Sequence, residues 1–346
     1  MDSENILSDK EDSDFYEHFN LVVDKGQSLI RIDKFLMLRI ENASRSKIQH
    51  AIEADNVLVN EKPIKASYKV KPLDVISIVL PHPPRDTEVI PQNIPINIIY
   101  EDDDLLIVNK DAGMVVHPGY GNWDGTLVNA LVYHFSQLPQ LPGNDGRPGL
   151  VHRIDKDTSG LLLISKNEKS MTYLAKQFYD HSISRKYLAL VWGDIEKDGT
   201  VTGYIGRSAK DRKVMDVYDK EEDGKWSVTH YKVLERFNYV TLIECQLETG
   251  RTHQIRAHMQ HIGHPLFNDA PYGGDKIRKG TLFAKYKQFV ENCFEIIPRQ
   301  ALHAKSLGFV HPTTKEWMQF DSELPEDFTK VLEKWQASKK KHFTIQ

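Results

Sequence analysis

His152-Arg153-Ile154-Asp155-Lys156-Asp157-Thr158-Ser159-Gly160 runs without a break into Leu161-Leu162-Leu163-Ile164. The second run is continuous and apolar and is closed by Ser165, the pattern of a short strand buried on both faces. The first is polar and charged. A loop held at the end of a buried strand is a rigid mount for reactive groups, so Asp155 is the leading candidate for chemistry. The plainer alternative is that Asp155 or Asp157 caps a turn and Arg153 pairs with an acid. Outward from this stretch, Leu105-Leu106-Ile107-Val108 is a second apolar run of strand type. Leu127, Ala130, Leu131 and His134 fall at helical spacing, as do Met171, Leu174, Ala175 and Phe178. Strands and helices mix without the alternation of a doubly wound sheet, which predicts an α+β fold.

A chain of 346 residues, 40% hydrophobic and 27% charged, has material for one large core and a smaller module. Nothing approaches the roughly 20 apolar residues of a membrane span, and Met1-Asp2-Ser3-Glu4 lacks the features of a signal peptide. A cytoplasmic protein without membrane contact is expected. The only cysteines, Cys245 and Cys293, form no Cys-x-x-Cys pair and read as buried thiols in a reducing compartment.

Residues 1–20 hold seven acids against Lys10 and show no apolar period, so they read as a disordered tail. Setting them aside turns the net charge from −4 to +2, with 42 acids and 44 bases in residues 21–346. Such a balance neither requires nor forbids nucleic acid. Residues 21–81 read as a small module. Ile32, Phe35, Leu36 and Ile40 mark one helix; Ser44, as N-cap, then Ile48, Ala51 and Ile52 mark a second. Val57-Leu58-Val59, a turn at Asn60-Glu61-Lys62-Pro63, and Val75-Ile76-Ser77-Ile78 complete it as a small sheet. Pro81, Pro83, Pro84, Pro91 and Pro95 make residues 82–96 a stiff, extended linker. Residues 97–325 form the large domain, and residues 326–346 a C-terminal helix and basic tail. No internal repeat is evident.

Two resemblances follow from these residues. The module, through Arg31-Ile32-Asp33-Lys34-Phe35-Leu36 and Ser44-Arg45-Ser46-Lys47-Ile48, resembles an S4 domain, an RNA-binding fold. That resemblance implies phosphate contacts by Arg31, Lys34, Arg45 and Lys47; otherwise they are a solvated helical face. His152 to Gly160 matches the motif His-Arg-Leu-Asp-x-x-Thr-Ser-Gly of RluA-type pseudouridine synthases, with Ile154 as a conservative departure. Further blocks match in order. They include Tyr100-Glu101-Asp102 with Val108-Asn109-Lys110 and Val115-Val116-His117-Pro118-Gly119, and Arg185-Lys186-Tyr187-Leu188-Ala189. Leu247 to Met259, Gly263-His264-Pro265, Asp269 to Gly273, and Leu302-His303-Ala304 follow. Asp111 stands where the family usually has proline, which implies a looser turn. The S4 module and His117-Pro118-Gly119 favour the RluD-like branch.

The resemblance implies a mixed, mostly antiparallel catalytic sheet and isomerisation of uridine to pseudouridine in folded RNA, with no cofactor and no metal. The target it implies is large-subunit ribosomal RNA, with transfer RNA as the alternative. Asp155 would be the catalytic carboxylate, acting as nucleophile or as base on the ribose C2′ proton; the second role is preferred, and the residues alone do not separate them. Arg256 would pair with it, and Tyr187 would stack on the base. Arg153 would fill the gap left by the flipped nucleotide; His152 and Arg251 would touch RNA, and Ile255 and Leu302 would line the pocket. Arg207, Lys210, Arg212 and Lys213 form a further basic loop, equally readable as solvated surface. A monomer with no obligatory protein partner is expected. Two rival classes remain in view: a metal hydrolase using His253, His258, His261, His264 and His303, whose spacing lacks a His-Glu-x-x-His pattern, and a non-catalytic RNA-binding or ribosome-assembly protein, which would not need Asp155, Tyr187 and Arg256 together.

Overall fold

The structure is a computed structural model. It describes residues 16–37, 39–40, 45–80, 89–119, 122–140, 147–211, 214–281 and 283–343. The chain divides into two compact units, Met1–Glu88 and Val89–Gln346.

The first unit contains β1 (Tyr16–Val22), α1 (Ile32–Met37), α2 (Arg45–Glu53), β2 (Val57–Val59), β3 (Lys62–Pro63) and β4 (Val75–Leu80). Ile32, Phe35 and Leu36 of α1 and Ile48 and Ile52 of α2 bury against Val57, Val59 and Ile76 of the sheet, as their spacing predicts. Asp33, which is fully buried, ties the helices together. Its carboxylate accepts hydrogen bonds from Arg31, Arg45 and Gln49 at 2.9–3.2 Å. Burial alone would push its carboxyl up, and these donors hold it well below the ordinary range instead.

Two boundaries differ from the sequence reading. Residues 16–20, expected in a disordered tail, lie in β1, which pairs antiparallel with β4 in a sheet of order β1-β4-β2-β3. Backbone pairing along the exposed edge of β4, which no side-chain period reports, recruits this segment. The short β3 lies inside the predicted turn and pairs with β2. The expected tail at 1–15, the N-cap Ser44 and linker residues 82–88 lie outside the described residues. Residues 89–96 are not a free spacer: Asn129 Nδ2 donates to Ile90 O, Gln92 N donates to Asn129 O, and Val89 and Ile96 pack on the core of the second unit.

That second unit is built on β5 (Ile98–Glu101), β6 (Leu105–Lys110), β7 (Ser159–Ser165), β8 (Ser184–Trp192), β9 (Gly199–Arg207), β10 (Met215–Tyr218), β11 (Lys225–Arg236), β12 (Val240–Leu247), β13 (Leu302–Val310) and β14 (Trp317–Asp321). Its helices are α3 (Leu127–His134), α4 (Glu168–Tyr179), α5 (Gln254–His261), α6 (Ala284–Ile296) and α7 (Glu326–Phe343). The strands join in the order β10-β9-β11-β12-β8-β13-β7-β6-β5, with β14 also on β13. β13 and β7 pair in parallel and the other neighbours antiparallel. The sheet is therefore mixed and mostly antiparallel, as expected. The predicted basic tail at Ser338 to Lys341 is the last part of α7.

Both apolar runs are strands covered on two sides, which is why neither alternates with polar residues. Leu106, Val108, Leu162 and Ile164 face α3 and α5 through Leu127, Leu131, Ile255 and Met259. Leu105, Ile107, Leu161 and Leu163 face the other way, onto Leu174 of α4. Farther along that second side, Val290 of α6 and Phe328, Val331 and Trp335 of α7 cover Leu190 and Trp192.

Where β7 begins, it meets β13 over a short parallel stretch, Ser159 opposite His303 and Gly160 opposite Ala304. Gly160 has φ +111, and a Cβ there would lie 2.3 Å from Ala304 O. Gly160→Ala should therefore cost at least about 2 kcal/mol, from backbone strain and overpacking together. Urea denaturation checks this: an unchanged midpoint would contradict the close approach of the two strands.

Candidate active site

The loop before β7 is fixed from several directions. Ile154 is buried in the main core, which accounts for an aliphatic residue beside the carboxylate. Thr158 N donates to Asp155 O at 3.1 Å, closing the turn. Lys110, buried at the end of β6, donates from Nζ to Asp111 O, Met114 O and Lys156 O at 2.6, 2.9 and 2.9 Å. Burial pulls its amine down to about 7, against the acids Asp157, Asp111 and Asp155, which favour the charge. The turn after Asp111 is thus tied down rather than loosened by the absent proline, with Gly113 N also donating to Lys156 O. On the other flank Arg299 donates to Asp157 O at 3.1 Å while pairing with Asp327 of α7 at 2.8 and 3.0 Å.

Asp155 projects from this mount into a cavity of about 640 Å³. Arg256 Nη1 lies 3.1 Å from its Oδ2. The same guanidinium grips Asp269, which is fully buried, at 2.7 and 2.8 Å. Burial would lower the Arg256 pKa, but Asp269 first and Asp155 second hold it raised, so it is permanently charged. It also lies over the Tyr272 ring, 4.8 Å from the centroid. Asp155 is thereby oriented by a cation that is itself immobilised.

Arg256 is carried on the first turn of α5, and Gln254 sets where that helix starts. Its Oε1 accepts from Thr249 Oγ1 and Arg251 N, while its Nε2 donates to Val228 O and Thr229 Oγ1. His253, at the N-cap with φ +54, faces Asp155 Oδ1 at 3.9 Å and meets the Tyr272 hydroxyl at 3.0 Å. Burial pushes its pKa down, and Asp155 pulls the other way.

Tyr187 on β8, Ile255 and Leu302 line the cavity together with Asp155, as the sequence reading places them. Burial raises the Tyr187 phenol above its usual range. Arg251 also lines the wall, its Nε donating to Trp226 O at 3.3 Å. Arg153 is exposed and brings Nη1 to 3.4 Å from His117 Nε2. His152 also lines the cavity, and is held there by the fold. Its Nε2 accepts from Leu163 N at 2.9 Å, its ring stacks on Phe178 at 4.6 Å, and burial lowers its pKa to about 3. A neutral ring spent on backbone and Phe178 supplies no charge to RNA.

In the first unit Arg31 and Arg45 keep 42% and 47% of their side chains exposed while paired with Asp33, so each can present its outer edge to phosphate. Lys34 is exposed; the Lys47 side chain lies outside the described residues, as do Arg212 and Lys213. Cys245 and Cys293 are buried free thiols.

The histidines of the hydrolase reading do not converge. His258 meets Thr229, His264 meets Trp192 O, and His303 bridges Ser159 and Ser322. A potential cation cluster among the described residues is Asp102, Asp104 and His311. There His311 Nδ1 accepts from Thr313 N and Thr314 N, so Nε2 carries the proton and donates to Asp102 at 3.0 Å. The cluster is a clasp between chain segments. Sequence reasoning missed Asp269 and Arg185 as site residues and named His253 only as a metal ligand, although all three sit inside the motif blocks.

Asp269→Asn should leave the Arg256 guanidinium half-paired in a dry site, costing about 3 kcal/mol of stability. It should also reduce turnover more than RNA affinity, because Arg256 would no longer be held against Asp155. Denaturation midpoints and single-turnover rates test both parts.

No helix among the described residues is long and apolar enough to cross a membrane. A family model described as RNA pseudouridylate synthase matches residues 104–261, and one described as S4 domain matches residues 30–76. An uncharacterized RNA pseudouridine synthase of Chlorobaculum parvum is 48% identical over 318 residues, covering 91% of this chain and 96% of the relative. A ribosomal large subunit pseudouridine synthase D of Zymomonas mobilis is 42% identical, covering 86% of this chain and 91% of that one. Among solved structures, human RNA pseudouridylate synthase domain containing 4 superposes with a TM-score of 0.53 at 22% identity, over 69% of this chain and 93% of that one, a likeness of fold.

Proposed function

The chain belongs to the RNA pseudouridine synthase family, and from that premise we propose that it isomerises specific uridines of large-subunit ribosomal RNA, with Asp155 as the catalytic carboxylate. The observation that carries the reading is the Arg256-held Asp155 carboxylate inside a cavity walled by Tyr187, Ile255 and Leu302. The ribosomal function that names the Zymomonas mobilis relative and the S4 match support a ribosomal target.

The reaction breaks N1–C1′, forms C5–C1′, and moves one hydrogen from C5 to N1. A base inside folded RNA is out of reach, so the nucleotide must be flipped out at a cost of a few kcal/mol. Arg153, exposed beside the cavity, is suited to occupy the vacated space. Asp155 removes the ribose C2′ proton as the base departs from C1′, leaving a glycal-like sugar. The detached uracil then turns to present C5. Carbon–carbon bond formation returns the proton to C2′, after which C5 loses its hydrogen and N1 gains one. A nucleophilic attack by the same carboxylate is the competing route. Arg256 serves either, since it holds the Asp155 carboxylate aimed into the cavity. Tyr187, kept as a neutral phenol by burial, offers its ring to the base and its hydroxyl for relaying the C5 proton.

Asp155→Asn keeps the shape and loses both base and nucleophile, so product formation should fall at least about a thousandfold while RNA binding survives. Turnover within tenfold of wild type would sink the assignment. Mapping pseudouridines in total RNA from cells lacking the gene identifies the target; loss from transfer RNA alone would refute the ribosomal assignment.

Removing residues 1–88 should leave the second unit isomerising uridine with weakened affinity or site choice. The log-log salt slope of RNA binding should become shallower by about 0.7 to 0.9 for each phosphate that the first unit neutralises. Unchanged affinity, salt slope and modified sites would show that the first unit does not position RNA.

A further inference from the structure

Arg185 is a cation in the cavity wall that the proposed reaction does not use. It sits on β8, two residues before Tyr187 and on the same face of the strand, and is 7% exposed. Its one hydrogen bond among the described residues runs from Nη2 to Glu248 O at 3.2 Å; Nε is buried without a partner. Among the described residues no carboxylate lies within ion-pair distance of it. The Phe178 ring lies 5.4 Å from the guanidinium carbon. Burial pushes its pKa down. Space for the guanidinium depends on Gly250, where a Cβ would lie 2.5 Å from Nη1.

A buried guanidinium with unspent donors and no counter-charge is costly, and it is expected where a ligand completes it. The other cavity arginines differ from it: Arg256 is held by two carboxylates, Arg153 is exposed and reaches His117, and Arg251 is half-buried with Nε on Trp226 O. Arg185 instead has the Phe178 ring 5.4 Å from its guanidinium carbon and shares its strand face and the cavity wall with Tyr187, flat rings that suit a planar base better than a phosphate. Resting on the assignment of this cavity to a target uridine, we propose that Arg185 is a specificity residue whose guanidinium donates a hydrogen bond to a carbonyl oxygen of the target uracil. Uracil offers two such oxygens, O2 and O4. A contact at O4 would also reject cytosine, whose amino group is a donor at that position.

The test is a cycle between protein and substrate, on the RNA fragment carrying the mapped uridine. Wild type, Arg185→Met and Arg185→Lys are each assayed under single turnover with uridine, 2-thiouridine or 4-thiouridine at the target, since sulfur accepts hydrogen bonds poorly. Wild type should lose about 10- to 100-fold in kcat/KM with one of the two thio substrates. Arg185→Met should lose a similar factor on uridine and show no further loss with that thio substrate; Arg185→Lys should retain part of the discrimination. Because each ratio compares two substrates on one preparation, partial misfolding cancels. A purely structural role would leave the ratio at its wild-type value, and equal ratios in wild type and Arg185→Met overturn the proposal. So does a loss that follows a neutral methylphosphonate 5′ to the target instead of either thio substitution, which would assign Arg185 to phosphate. A wild type inactive on the uridine fragment would refute the uridine reading itself, whereas an active wild type with uncoupled ratios refutes only the role of Arg185.

Discussion

One guanidinium shared by two carboxylates governs the second unit. Arg256 is held by the fully buried Asp269 and extends its remaining edge to Asp155. Asp269 is the anchor, because a dry bidentate pair fixes the plane of the guanidinium, and Asp155 is the carboxylate at the cavity side. The permanent cation beside the Asp155 carboxylate gives it one orientation. Gln254 completes the arrangement by fixing where α5 begins, and with it the direction in which Arg256 leaves the helix.

The loop that carries Asp155 is immobilised by Lys110 and Arg299 acting on its backbone. Lys110 reaches Lys156 O from the end of β6, and Arg299 reaches Asp157 O while bonded to α7. The residues on both sides of these contacts, Ile154 and Thr158, are buried. Asp155 therefore stands on a loop whose neighbours cannot relax without unburying apolar surface or stranding a charge, as a preorganised site requires. The Arg299–Asp327 pair also makes the C-terminal helix part of the support of this loop.

The first unit solves a smaller problem with the same device. Asp33 gathers Arg31, Arg45 and Gln49 between two short helices, fixing two basic side chains that still expose their outer edges. Charge fixed in place loses less entropy on meeting a phosphate than charge on a free side chain.

Local pattern was enough to determine much of this protein. The runs at 105–108 and 161–164, the helical spacings around Leu127 and Met171, and the paired helices of the first unit all become elements where the periods place them. The motif order also located Asp155, Tyr187, Arg256, Ile255 and Leu302, because side chains near one cavity are held there by strands and helix starts that leave local marks. Tertiary structure decided the rest. It recruited residues 16–20 as an edge strand, bound residues 89–96 to α3, bonded Leu163 N to His152, and delivered Asp269 to Arg256. Each of these depends on a partner distant in the chain or on backbone pairing. Periodicity records which face of an element is buried, but not which donor, acceptor or charge will meet it there.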